Sequence, residues 1–460
     1  MLIPPNKANG IAHFGLYVGL VFGLVSVSSS YLIQSFLNGE SIFLQSVIGH
    51  ATYLQFAMLF VAMLLVWRYG PKTQSVQDYS VIIFCAVIMR LILIPVEPYT
   101  SNDIDRYLFD GYITTQGLDP YRVNHDAPEL QSARELWSPP PEHSKYVTLY
   151  PPIALALFSV AASTGVEYAH LTWKLMVTLA SLVTLLLSIL ILKRAGKLQH
   201  LALVAVSPIL IFESGVGVHL DMFSALSICL VLYFLQRKLL VGAAIFIGFG
   251  TAIKLLPFVL ACPIVLALRN FKASLIFCSS LAFSLLLIYS SAYLLDLHPI
   301  GSIGTFFEKF RFGSPYFFLL ETLLDLKLLA FINSVILLLG FSCIAIYTWL
   351  KSRTLLDEAC VLAMLLAMAL PLFLSPVIYP WYLAPLIPLI ALSPRPLFVV
   401  WLGTLPFTYQ VLGQFICCDQ WRPSTWPLVL ISLGMLASLI YSQYKLRVGQ
   451  PRASAPHPTT

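Results

Sequence analysis

Residues 171–192 read LTWKLMVTLASLVTLLLSILIL, and Lys193-Arg194 close the run. As an α-helix, 22 residues are long enough to cross a hydrocarbon core of roughly 30 Å. The run is continuous and does not alternate at every second residue, which argues against a membrane β-barrel. Similar apolar runs begin near Ile11, Ala51, Ser80, Leu201, Asp221, Leu240, Leu255, Ala273, Leu328, Ala359, Tyr379, Leu397 and Trp426. The 460 residues are 58% hydrophobic and only 10% charged, whereas about a quarter of a soluble chain is charged. The chain therefore reads as an all-α polytopic membrane protein with about 14 spans, or 12 to 14 because the runs around Lys254 and Tyr379 are short and proline-broken. The run from Ile11 lacks a small-residue cleavage pattern and reads as a retained signal anchor.

Charge sets the expected orientation. With the N-terminus inside, Lys7, Arg68, Lys72, Lys193, Arg194, Lys197, Arg237, Lys238, Arg269, Lys272, Lys351, Arg353, Arg395, Lys445, Arg447 and Arg452 fall in the inner loops and tail. That is 16 of the 27 basic residues, against three of the 21 acids (Asp78, Asp357, Glu358). Such a bias follows the positive-inside rule. The net charge of +6 is thus topological and gives no reason to expect nucleic acid as a partner. The alternation holds only if Tyr150-Pro151-Pro152-Ile153 opens a short interfacial or re-entrant helix on the outer face. Expected segments are 1–97 (N-terminal spans), 98–170 (an outer acidic loop with interfacial helices), 171–448 (the remaining spans) and a disordered inner tail 449–460. Six cysteines lie in apolar runs as small core residues. Cys417 and Cys418 are adjacent and read as free thiols, because vicinal disulfides are rare.

The outer loop 97–150 holds nine of the 21 acids in 54 residues. Within it stands Ser101-Asn102-Asp103-Ile104-Asp105-Arg106-Tyr107. Ionised groups beside a membrane cost free energy unless paired or used. Ser101 or Asn102 can cap a helix from Asp103 to about Gln116, ended by Gly117-Leu118-Asp119-Pro120. Three- and four-residue spacing puts Asp103, Arg106, Tyr107 and Asp110 on one face, with Asp105 pointing away. The same spacing also fits an amphipathic interfacial helix with a wetted polar face. Elsewhere, Glu213 and His219-Leu220-Asp221 bracket a glycine-containing turn, and Lys254 sits where two short apolar halves meet. Arg311 lies in the second long outer loop, and Tyr379-Pro380-Trp381-Tyr382 reads as belt or pocket aromatics. Acids for a hydroxyl, cations for a phosphate and a greasy surround suit transfer of a group from a lipid-linked phosphate.

The ordered set Asp103-x-Asp105-Arg106-Tyr107, Asp110-Gly111, Gly117-x-Asp119-Pro120-Tyr121, Tyr150-Pro151-Pro152, Gly217-x-His219-x-Asp221, Ala252-Ile253-Lys254-Leu255-x-Pro257 and Tyr379-Pro380-Trp381-Tyr382 resembles the GT-C superfamily. It is most similar to bacterial polyprenyl-phosphate-mannose-dependent mannosyltransferases. The resemblance implies an inverting hexosyl transfer, with mannose the expected sugar, on the outer face of the bacterial inner membrane, both termini being cytoplasmic. It implies Asp103 as general base with Asp105 in support, and Arg106, His219, Lys254 and Arg311 as the donor-phosphate set. Tyr107, Asp110, Asp221, Tyr379, Trp381 and Tyr382 would line the substrate pocket. The donor would be a polyprenyl-phosphate sugar and the acceptor a glycan, lipid or protein. No cofactor is expected, and a divalent metal is disfavoured because Asp103 and Asp105 point apart. One departure is three spans before the acidic loop where the family usually has one. A transporter or flippase is the alternative, but it would place charge at the bilayer midplane between repeats, and no repeat is visible.

Overall fold

The computed structural model describes residues 5–39 and 41–448; the tail expected to be disordered lies outside them. Among the described residues there is no strand, only an isolated parallel bridge between Phe312 and Val377. Eight helices of 18 to 29 residues are long and apolar enough to cross a bilayer, from His13–Leu37 to Trp426–Lys445. Where about 14 spans are expected, eight helices among the described residues have the length and hydropathy of a span; several of the other expected spans are shorter apolar helices, such as Asp221–Gln236, Leu240–Thr251 and Glu358–Leu374. The helices Phe271–Leu294 and Leu326–Lys351 are mostly uncovered and expose residues such as Phe283, Leu286, Phe331 and Leu338. Large apolar side chains on the outside, over helices of spanning length, are what a lipid solvent selects. The protein is a polytopic all-α membrane protein.

Several buried polar groups find partners within the protein, as a medium without water favours. The helices Pro5–Leu37 and Ile48–Tyr69 form a hairpin. Gln55 Nε2 donates across it to the Ser26 carbonyl (3.0 Å) and Ser30 Oγ (2.7 Å). The Tyr99 hydroxyl donates to Gln55 Oε1 at 2.7 Å, which ties this extra hairpin to the start of the acidic loop. Ser207-Pro208 breaks the run expected from Leu201 into Ala202–Ala205 and Pro208–Gly215, since proline lacks an N–H and clashes with the preceding turn. Arg90, fully buried, donates to the carbonyls freed at that break, Val204 (3.2 Å) and Ala205 (3.0 Å), and to Ser181 Oγ (2.8 Å). The short half Pro208–Gly215 carries Glu213.

The helix expected from Asp103 spans Asp103–Thr115. Ser101 Oγ accepts from the Asp103 N–H at 3.0 Å, and Gly117 ends the helix with φ of +73°, a backbone state that only glycine adopts without cost. The Tyr-Pro-Pro segment opens Pro152–Ala162, whose 11 residues reach about 16 Å, too short to cross. It packs on Asp103–Thr115 at Gly111, where a Cβ would lie 2.4 Å from the Phe158 carbonyl group.

Candidate active site

A cavity of about 590 Å³ opens where the Asp103–Thr115 helix meets the turn before Asp221, the Lys254 junction, the segment 306–312 and the aromatic run 379–382. Asp103, Arg106 and Tyr107 line it from one helix face. Asp221, Lys254, Arg311, Tyr379, Trp381 and Tyr382 line the other walls. Three expected residues do not reach it, each for a local reason. Asp105 points away, as its spacing requires, and pairs with His170 at 2.7 Å. Asp110, one turn beyond the rim, is buried and accepts from Thr148 Oγ1 at 2.8 Å and meets His125 Nε2 at 2.8 Å. It anchors the loop that covers the helix.

His219, expected as a phosphate ligand, is fully buried behind the wall. Its Nδ1 meets Glu213 Oε2 at 2.8 Å. Its Nε2 faces Asp103 Oδ2 at 3.8 Å and has no hydrogen-bond partner among the described residues. Glu213 also accepts from the Tyr409 hydroxyl at 2.5 Å. The chain Tyr409–Glu213–His219–Asp103 therefore fixes the imidazole behind the Asp103 carboxylate. Gly217 permits it, because a Cβ there would sit 2.2 Å from Glu213 Oε2 and 2.5 Å from His219 Nδ1. The next residue, Val218, holds φ of +48°, costly for a β-branched side chain. Its carbonyl accepts from Trp173 Nε1 at 2.8 Å, and the neighbouring Val216 carbonyl accepts from the Tyr99 N–H at 2.9 Å. These bonds lock the turn that presents His219 and Asp221.

One wall is a stack of rings. His219 lies on Trp381 (centroids 3.6 Å apart), Trp381 on Tyr379 (4.4 Å) and Tyr379 on Phe312 (4.6 Å). The isolated bridge holds Phe312 there, its N–H donating to the Pro376 carbonyl at 3.0 Å and its carbonyl accepting from Ile378 at 2.8 Å.

The cations differ in availability. Lys254 Nζ donates to both Asp221 oxygens, at 2.7 and 2.8 Å, and lies 3.8 Å from the centroid of the Tyr382 ring. Arg311 donates to Glu321 at 2.8 Å. Arg106 is 4% exposed, sits 5.6 Å from the centroid of the Tyr150 ring, and has no hydrogen-bond or ion-pair partner among the described residues, its Nε being fully buried. The rest of its guanidinium is open to the cavity that Arg106 lines and has charge to offer an anion there.

Several lining residues carried no sequence signal strong enough to select them. Glu142 accepts from Asn102 Nδ2 at 2.8 Å. His143 lines the cavity beside it, with its pKa lowered by burial and then by the Arg106 charge. Tyr409 and Trp421 come from the C-terminal part. Cys417 and Cys418 are bonded to each other, correcting the free-thiol reading. They emerge together from the last turn before Asp419, whose φ is +51°.

Among the described residues no three His, Cys, Asp or Glu side chains cluster to hold a metal. A carboxylate on a cavity wall, faced by cations and flanked by aromatic rings, can take a proton from a hydroxyl while an anion is held nearby. A family model described as "Alpha-(1->6)-mannopyranosyltransferase, N-terminal domain" matches residues 12–270. No curated protein matches the chain.

Proposed function

The chain belongs to the alpha-(1->6)-mannopyranosyltransferase family and is a membrane glycosyltransferase; from this membership and the cavity we propose that it moves mannose from a polyprenyl-phosphate donor to a glycan hydroxyl on the extracytoplasmic face. The observation that carries the reading is the placement of Asp103 and of Arg106, which has no ion-pair partner among the described residues, on one helix face at the cavity. The acceptor oxygen attacks the anomeric carbon of mannose as its proton passes to Asp103. The bond from that carbon to the phosphate oxygen breaks, and polyprenyl phosphate leaves with the bonding electrons. Attack opposite the leaving group inverts the anomeric centre. Arg106 and Lys254 hold the phosphate, a guanidinium fork suiting two of its oxygens. Asp221 fixes Lys254, and the stacked rings of Tyr379 and Trp381 wall the sugar with their edges, since their faces are taken up by the stack. His219, braced by Glu213, holds Asp103 in the attacking geometry.

The extracytoplasmic assignment rests on the charge bias of the connecting loops. Membranes carrying wild type or Asp103→Asn, supplied with radiolabelled polyprenyl-phosphate mannose, test the reading. The variant is expected to lose about 10²- to 10⁴-fold in transfer rate, the usual contribution of a positioned base. Equal transfer by both proteins would remove Asp103 from the chemistry.

A further inference from the structure

Beside the cavity lies a second chamber of about 270 Å³. The two share Arg311, Phe312 and Pro423, so a guanidinium and an aromatic ring form the partition. Its remaining wall comes from segments after residue 270, including Phe317, Gln410, Ser424 and Thr425. Gln410 is 8% exposed; its Oε1 accepts from Ser424 Oγ at 3.3 Å, and its amide nitrogen has no partner among the described residues. Its two N–H donors are therefore open to an acceptor that enters the chamber Gln410 lines.

We propose that this chamber binds one sugar ring of the acceptor, the unit next to the one that bears the attacking hydroxyl. The proposal rests on the reading of the chain as a mannosyltransferase. The volume suits a single pyranose. The Gln410 amide and the Ser424 and Thr425 hydroxyls match sugar hydroxyls, while Phe312 and Phe317 offer faces for its C–H groups. A second phosphate is disfavoured, because Arg311 is already neutralised by Glu321 at 2.8 Å. A prenyl chain is disfavoured too, since it would dry Gln410 and the Arg311–Glu321 pair without replacing their hydrogen bonds. An apolar groove of about 630 Å³, bordered by Ile344, Leu366, Phe398, Trp401 and Leu436, suits lipid better.

The test uses the full-length protein in detergent, with Gln410→Leu, which keeps the side-chain size, and Ser424→Trp, which fills the chamber from an exposed loop position. Binding of octyl α-1,6-mannobioside is measured by calorimetry, and its KM as acceptor is compared with that of octyl α-mannoside. Both variants are expected to weaken mannobioside binding and raise its KM about tenfold, the loss of one or two hydrogen bonds, with the monomannoside and donor KM unmoved. Unchanged mannobioside binding in both variants overturns the proposal, as does an absence of binding to wild type. A shift in dependence on donor chain length would mean a lipid occupant and also overturns it. Wild type that binds mannobioside but transfers no mannose would defeat the donor reading and leave the chamber supported.

Discussion

At the scale of single residues, His219 is decided by its neighbours. It lies between Glu213 at 2.8 Å and Asp103 at 3.8 Å and does not line the cavity, so in the proposed mechanism it positions Asp103. Glu213→Gln keeps an acceptor for Tyr409 but turns an N–H toward Nδ1. We expect kcat to fall about ten- to a hundredfold, the range for carboxylates that orient a histidine at metal sites, with donor KM unchanged. Gly217→Ala should reproduce that loss, because its Cβ would overlap both partners. A change confined to KM would instead assign these groups to substrate binding. His143 supplies a pH signature. Burial and the Arg106 charge lower its pKa below the ordinary 6.5, so the unfolded chain binds the proton more readily than the folded one. Its contribution to stability is therefore full above about pH 6.5 and declines as the pH falls toward the lowered value. Thermal unfolding between pH 5 and 7 should show a shallower acid loss for His143→Gln than for wild type.

At the scale of elements, the site depends on the short Pro152–Ala162 helix lying against Asp103–Thr115. Gly111 allows the approach, and Gly111→Ala must push against the Phe158 backbone, 2.4 Å away. The expected cost is about 1–3 kcal/mol, as for overpacking elsewhere, read as a lower thermal midpoint in detergent. An unchanged midpoint would mean that the two helices are not held at this distance. The motif Gly117-x-Asp119-Pro120-Tyr121 has a similar bracing role. Asp119 accepts from the Tyr121 and His298 backbone N–H groups at 3.0 and 3.1 Å, and Tyr121 donates to the Tyr150 carbonyl at 2.7 Å. The helix, its start and its glycine stop were legible in sequence because capping and spacing are local. The inward turn of Asp110 was not, since the loop that covers it contributes Thr148, 38 residues away.

At the scale of the whole molecule, the charge bias makes a topological prediction. In intact cells a membrane-impermeant thiol reagent should label Ser132→Cys, and should label Ala195→Cys only after permeabilisation, each read above the native cysteine background. The reverse pattern would invert the orientation and place the cavity inside. Membrane class, helical architecture, the Asp103–Thr115 helix with its glycine stop and the separation of Asp103 from Asp105 were determined by the sequence alone, because hydropathy, capping and helical period act over a few residues. Which cation remains unpaired, where His219 lies relative to Asp103, how Phe312 joins the ring stack and where the second chamber lies were decided only by the tertiary structure. Those facts depend on side chains from segments up to about 300 residues apart meeting in space, such as Asp103 with Trp421 at one cavity, and no local rule of spacing specifies such a meeting.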